Sequence, residues 1–225
     1  ANSFRLPTAG SLYHLTTKDT DSEISSLKPE VSDTYELGYK VNFEQLTFDI
    51  AFYYMDVDDG IVRQEDENGY RYLVNASRVT HKGFEFATNW DINESLNLTF
   101  AYSKSKHKFD EHEELSGNEM MSAPNYITNL RLRYTPENLK GLTTMLEAQS
   151  IGDYWMDDKN TRQYEGYTIT NLKAHYEVNN KLSFNARIIN LTDKDYAQSA
   201  RISYGRTQIA PAALRTIYFG VNYQW

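Results

Sequence analysis

Cysteine is absent from the 225 residues. That excludes a disulfide framework, thiol chemistry and cysteine metal sites. No run approaches the roughly 18 consecutive apolar residues that a membrane-crossing helix needs. With a mean hydropathy of −0.66, hydropathy alone describes a soluble chain. Cations are in deficit, since 23 Lys and Arg face 31 Asp and Glu for a net charge of −8. Nucleic acid, whose binding rests on neutralised phosphates, is therefore not an expected partner. The start, Ala1-Asn2-Ser3, has neither a charged n-region nor an apolar h-region, so no signal peptide is read there. Catalytic signatures are missing as well. There is no Gly-rich phosphate loop, nucleophile elbow or zinc-protease helix. The expectation is no enzyme, no catalytic residue, no metal and no cofactor.

What the chain does have is aromatic residues, 14% of the total with 18 Tyr and 10 Phe, set in period-2 alternation that recurs about nine times. Ile217, Phe219, Val221, Tyr223 and Trp225 share one face, and Thr216, Tyr218, Gly220, Asn222 and Gln224 the other. The same pattern predicts strands over 34–41, 46–54, 83–90, 96–103 and 127–134, with weaker versions near 142–150, 167–178 and 182–189. A soluble sandwich also alternates, so the connections decide. Short links fall at 42–45, 91–95, 136–141 and 178–181, and long ones at about 55–78, 104–125, 151–166 and 191–212. Strict alternation of short and long links is the pattern of an antiparallel transmembrane β-barrel with short periplasmic turns and long extracellular loops. Nine strands entered from the outside, with residues 1–33 as the tail of an outer loop, predict part of a larger barrel, because bacterial barrels are normally even-stranded. Arg131, Arg133, Lys173, Arg187, Glu36, Glu85 and Glu147 fall on the faces expected to line the lumen.

Local motifs point to a family. Phe4-Arg5-Leu6-Pro7-Thr8 resembles an FRxP box. Leu27-Lys28-Pro29-Glu30 with Thr34-Tyr35-Glu36-Leu37-Gly38-Tyr39-Lys40 resembles an LKPE strand entry. Tyr54-Met55-Asp56-Val57-Asp58-Asp59-Gly60-Ile61, then Asn75-Ala76 and Lys82-Gly83-Phe84-Glu85, resemble the strand segments that follow. Asn190-Leu191-Thr192-Asp193-Lys194-Asp195-Tyr196, Pro211, Arg215 and the aromatic Trp225 complete the series. In this order the motifs resemble the C-terminal part of the TonB-dependent outer-membrane receptors. The resemblance implies a 22-stranded barrel around an N-terminal plug, of which this chain holds about nine strands, without plug or TonB box. It implies TonB-dependent import of a ferric siderophore or similar bulky nutrient across the bacterial outer membrane. It also implies partners: the TonB-ExbB-ExbD complex acting through the plug, the barrel-assembly machinery and outer-membrane lipid. A passive porin or structural barrel and a soluble all-β binding domain are the alternatives.

Candidate ligand contacts are aromatic and cationic residues of the long links: Tyr154, Trp155, Tyr164, Arg201, Tyr204 and Arg206. Rigid aromatics and guanidinium groups suit large, often anionic iron chelates. Phe219, Tyr223 and Trp225 are the expected barrel-assembly signal. His107 and His112 share an acidic long link with Glu111, Glu113 and Glu114, which raises haem as a second cargo behind a siderophore. Asp56, Asp58 and Asp59 do not make a calcium loop, because Gly60 comes one position too early for an EF-hand, and read as a solvated loop entrance.

Overall fold

The computed structural model describes residues 1–8, 27–65 and 71–225. Side chains of a strand point alternately to its two faces, and here each predicted segment uses that period to separate an apolar from a polar face. The described residues form one antiparallel sheet of ten strands and two small two-stranded sheets. The large sheet runs in chain order through β1 (Asn2–Arg5), β2 (Glu30–Asn42), β3 (Leu46–Glu65), β4 (Arg71–Asn93), β5 (Leu96–Glu111), β6 (Tyr126–Tyr134) and β7 (Leu142–Ile151). It continues through β10 (Tyr167–Asn179), β11 (Leu182–Ile189) and β14 (Thr216–Tyr223). The omitted elements are hairpins within long links: β8 (Tyr154–Trp155) with β9 (Gln163–Tyr164), and β12 (Ala197–Ser203) with β13 (Arg206–Pro211).

All nine predicted strands are present, and long connections follow β5, β7 and β11 as expected, whereas the connection between β3 and β4 shrinks to residues 66–70 because both strands run on. Three readings are corrected. Residues 2–5 and 30–33, assigned to an outer loop, pair as strands, so the sheet gains β1. Residues 55–65 and 71–78, assigned to a long link, remain strand: β3 and β4 stay in register out to Glu65 and Arg71. The Asp-rich run is thus no loop entrance. Asp56 is paired with Arg78 across the strands, with Arg78 Nε donating at 2.7 Å. Finally, β5 extends to Glu111, which places His107 in a strand and not in a loop.

Register turns the alternation into rows. Leu46, Trp90, Leu98, Leu132, Leu146, Leu172, Ile188 and Ile217 are successive cross-strand partners over eight strands. Phe52 and Phe84 (ring centroids 5.1 Å apart), Tyr39 and Phe48 (6.3 Å), and Phe184 and Phe219 (6.2 Å) add aromatic contacts on that face. Much of it is bare: Leu37 is 74% exposed and Phe219 71%. The opposite face carries Thr47, Asn89, Thr99, Arg131, Glu147 and Asn171 as one row. Gly83 lies on this polar face, and a Cβ there would stand 2.5 Å from the Tyr53 ring. Glycine is what lets that phenol lie flat across β4.

Candidate functional site

The polar face carries the expected charges, and the structure supplies partners. Glu147 accepts from Lys173 at 2.7 Å and lies 3.3 Å from Arg131. One carboxylate thus bridges cations on the strands to either side of β7. The Arg187 guanidinium sits 4.6 Å from the centre of the Tyr218 ring. His175 and Asn185 share a 2.8 Å hydrogen bond on the same face. For Glu36, Glu85 and Arg133 the structure places the backbone as expected.

At the long-loop end the polar face closes into a small core. Val57, Ala76, Val79, Phe109 and Leu115 are buried together, with Met55, Val62 and Met120 packed on them. Beside this core lies a cavity of about 420 Å³, whose lining includes Phe4, Arg5, Glu30, Met55, His81 and Met120. The motif residues build its walls. Arg5 of the FRxP box pairs with Glu30 of the LKPE segment, and Glu30 also accepts from the Ile61 amide at 2.6 Å. Asn75 accepts from the Lys28 amide at 2.9 Å and donates to the Asp59 carbonyl at 2.6 Å. A single amide side chain thereby ties the LKPE segment to β3.

Two histidines face each other next to the cavity. His81 of β4 and His107 of β5 are register partners, their Nδ1 atoms are 2.7 Å apart, and their rings are 4.9 Å apart. One ring carries a proton on Nδ1 and the other accepts it. Burial holds both imidazoles below the ordinary histidine value, and the neighbouring ring adds to this at His81. The charge-free form therefore dominates at neutral pH. His112, grouped with His107 from the sequence, does a separate job: its Nδ1 accepts from the Glu114 and Leu115 amides.

The outer connections are locked by side-chain-to-backbone bonds. Asn160, at φ +55°, accepts from the Glu119 amide at 2.8 Å and donates to the Glu119 carbonyl at 2.7 Å. Asp158 accepts from the Met121 amide at 2.8 Å. Asn190 is fully buried at φ +54°. It accepts from the Lys194 amide at 2.8 Å and donates to the carbonyls of Lys194 (2.8 Å) and Ala213 (3.4 Å). Arg215 then holds Asp193 through its amide at 3.0 Å and its guanidinium at 3.1 Å.

The six candidate ligand contacts separate into two groups. Tyr154 is buried and its hydroxyl accepts from the Ala200 amide at 2.9 Å. The Tyr164 hydroxyl accepts from the Ala197 amide and donates to the Ala197 carbonyl, at 2.9 and 3.1 Å. These two phenols peg the β8–β9 hairpin to the β12–β13 hairpin over Met156, Ala197 and Ala200. Trp155 is half-buried beside them, and its carbonyl accepts from the Ser122 amide at 2.8 Å. Arg201, Tyr204 and Arg206 stand on the exposed β12–β13 hairpin. Tyr204 holds its turn at φ +53°, and Arg201 donates to Gln208 at 3.0 Å. Of the expected assembly signal, Phe219, Tyr223 and Trp225 are all exposed.

Counting along the strands could have found the histidine pair. Nine residues outward from the Trp90–Leu98 pair reaches His81 on one strand and His107 on the other. The hydrogen-bonding asparagines had a weaker signal, since Asn tolerates positive φ better than most residues.

Known proteins resemble the chain along most of its length. The family described as "TonB dependent receptor-like, beta-barrel" matches residues 1–191. A vitamin B12 transporter, BtuB of Photobacterium profundum, is 26% identical over 203 residues, covering 86% of this chain and 30% of the relative. A probable TonB-dependent siderophore receptor, PiuA of Acinetobacter baumannii, is 25% identical over 216 residues, covering 88% and 28%. The closed-form structure of the ferric-catecholate import receptor Fiu from E. coli K12 superposes with a TM-score of 0.75 at 19% identity, over 99% of this chain and 32% of that one. The chain spans under a third of the length of these relatives, and the match of fold is to receptor barrels. The chain belongs to the TonB-dependent receptor-like β-barrel family.

Proposed function

We propose that this chain is the C-terminal third of an integral outer-membrane receptor that imports a ferric siderophore or similar bulky nutrient. The observation that carries this reading is the apolar row from Leu46 to Ile217, registered across eight strands while every long connection sits at one end. A soluble monomer rarely leaves more than a few hundred Å² of contiguous apolar surface in water. Lipid accepts such a face at no cost, provided the backbone is paired into a closed barrel. Remaining strands, a plug and a TonB box lie upstream in this reading. TonB, ExbB and ExbD supply energy through the plug, and the barrel-assembly machinery reads Phe219, Tyr223 and Trp225.

The relatives' names give two kinds of cargo, vitamin B12 and siderophores, at nearly equal identity to this chain. The siderophore is preferred on the exposed Arg201, Tyr204 and Arg206, which offer cations and an aromatic face to an anionic chelate. Trp155 completes the candidate set, while Tyr154 and Tyr164 position the hairpins that carry it. The test is deletion of the whole gene followed by growth on single iron sources. The expected result is loss of one ferric siderophore as an iron source, and the same loss with Arg201→Ala plus Arg206→Ala in part. Normal use of every iron source by the deletion strain contradicts the reading.

A further inference from the structure

A thioether and two imidazoles fall in one line across the polar face just above the apolar band. Met55, His81 and His107 are successive register partners on β3, β4 and β5. A second thioether closes the line, because the Met120 amide donates to the His107 carbonyl at 2.9 Å and the Met120 side chain shares the cavity wall with Met55 and His81. We infer that Met55, His81, His107 and Met120 form a binding site for a single soft late-transition-metal cation, with Cu(I) as its best fit.

Several features select this chemistry. The two Nδ1 atoms already converge at 2.7 Å. Two imidazole nitrogens on one metal stand roughly 3.3 Å apart when each bond is about 2.0–2.1 Å in a tetrahedral shell. The ring centroids are 4.9 Å apart, so the two Nδ1 atoms meet nearly head-on; with the shared proton moved from Nδ1 to Nε2 of its own ring, opening by about half an ångström and tilting both rings brings the two lone pairs onto one ion. The hard donors nearby are engaged: Glu30 by Arg5 and the Ile61 amide, and Glu119 by Lys106 at 2.6 Å. Among the described residues no three His, Cys, Asp or Glu side chains gather as a metal set. A zinc or manganese ion therefore lacks its shell, whereas two thioethers complete one for a soft ion. The alternative use of the methionines is as pliable filler for the core they touch, and the experiment separates the two.

The site stands independently of the cargo proposed above, since it binds a bare cation and needs no transport to be seen. The full-length receptor, purified in detergent, is titrated anaerobically with Cu(I) against a colorimetric Cu(I) chelator, and its X-ray absorption spectrum is recorded. One equivalent is expected to bind with a mixed nitrogen and sulfur shell, and Zn²⁺ is expected to bind far more weakly. His81→Gln and His107→Gln should each weaken Cu(I) by more than the roughly tenfold that an outer-shell change costs. Met55→Leu and Met120→Leu, which keep the core filled, should remove the sulfur signal one ligand at a time. Failure of the wild-type protein to hold Cu(I) against the chelator overturns the site. So does a shell without sulfur, or undiminished affinity in the two leucine variants.

Discussion

The two ends of the sheet are held together by different means. Toward the short turns, each strand contributes side chains to rows that touch one another along the sheet while much of the apolar face stays exposed, and order comes from the backbone ladder. Toward the long connections, the apolar rows give out. There the chain makes two small cores, around Phe109 and around Met156, and closes its loops with asparagine and aspartate bonds to backbone. The lower part depends on its solvent, and the upper part carries its own interior.

Substitutions can break this contrast from either side. The largest effect is expected for Leu132→Arg, in the centre of the apolar row, which should cost about 2–4 kcal/mol of folding into vesicles. Ser103→Arg, on the opposite face beside Glu85, should stay within about 0.5 kcal/mol. Chemical denaturation in lipid measures both. Asn190→Ala comes next. It removes three hydrogen bonds and leaves an alanine at positive φ, for about 2–3 kcal/mol in the local closure of 190–215. Limited proteolysis should cut that connection while the strands stay protected.

Asn160→Ala should be milder, about 1–2 kcal/mol, for the bonds to Glu119. Its readout is faster hydrogen exchange at the Glu119 amide with no change at β6. The smallest effect concerns pH. Burial raises the Asp158 carboxyl above the ordinary aspartate value, against the Met121 amide that favours its charge. The closed loop therefore binds more protons than the open one, and ionised Asp158 weighs against closure at neutral pH. Asp158→Asn keeps an acceptor for Met121 and should slow exchange at the Met121 amide at pH 7. The difference should vanish as pH falls below the ordinary aspartate range.

The spanning strands were legible because their period of two is the sheet's own period, and one face had to be apolar throughout. Above them Asp56, Asp58, Asp59 and Gly60 hide that period, so the extension of β3 read as a loop although the Arg78–Asp56 pair and the Val57–Val79–Phe109 core hold it as strand. Asn2–Arg5 is too short to show any period, and its strand comes from pairing with β2. For the candidate site, aromatics of the long links were found, but not their uses. Tyr154 and Tyr164 meet amides 46 and 33 residues away, a distance no local pattern reports. The His81–His107 pair needed only the register of one hairpin, which residue types alone do not display.

The central claim is that one face of this sheet meets lipid. Because the stretch lacks cysteine, single cysteines at Leu130, Arg131, Leu132 and Arg133 of β6 can carry spin labels in the membrane-embedded receptor. Collision with dissolved oxygen, which concentrates in lipid, is the readout. The account expects high values at 130 and 132 and low values at 131 and 133. Equal values along the four positions, or the reverse alternation, would contradict it.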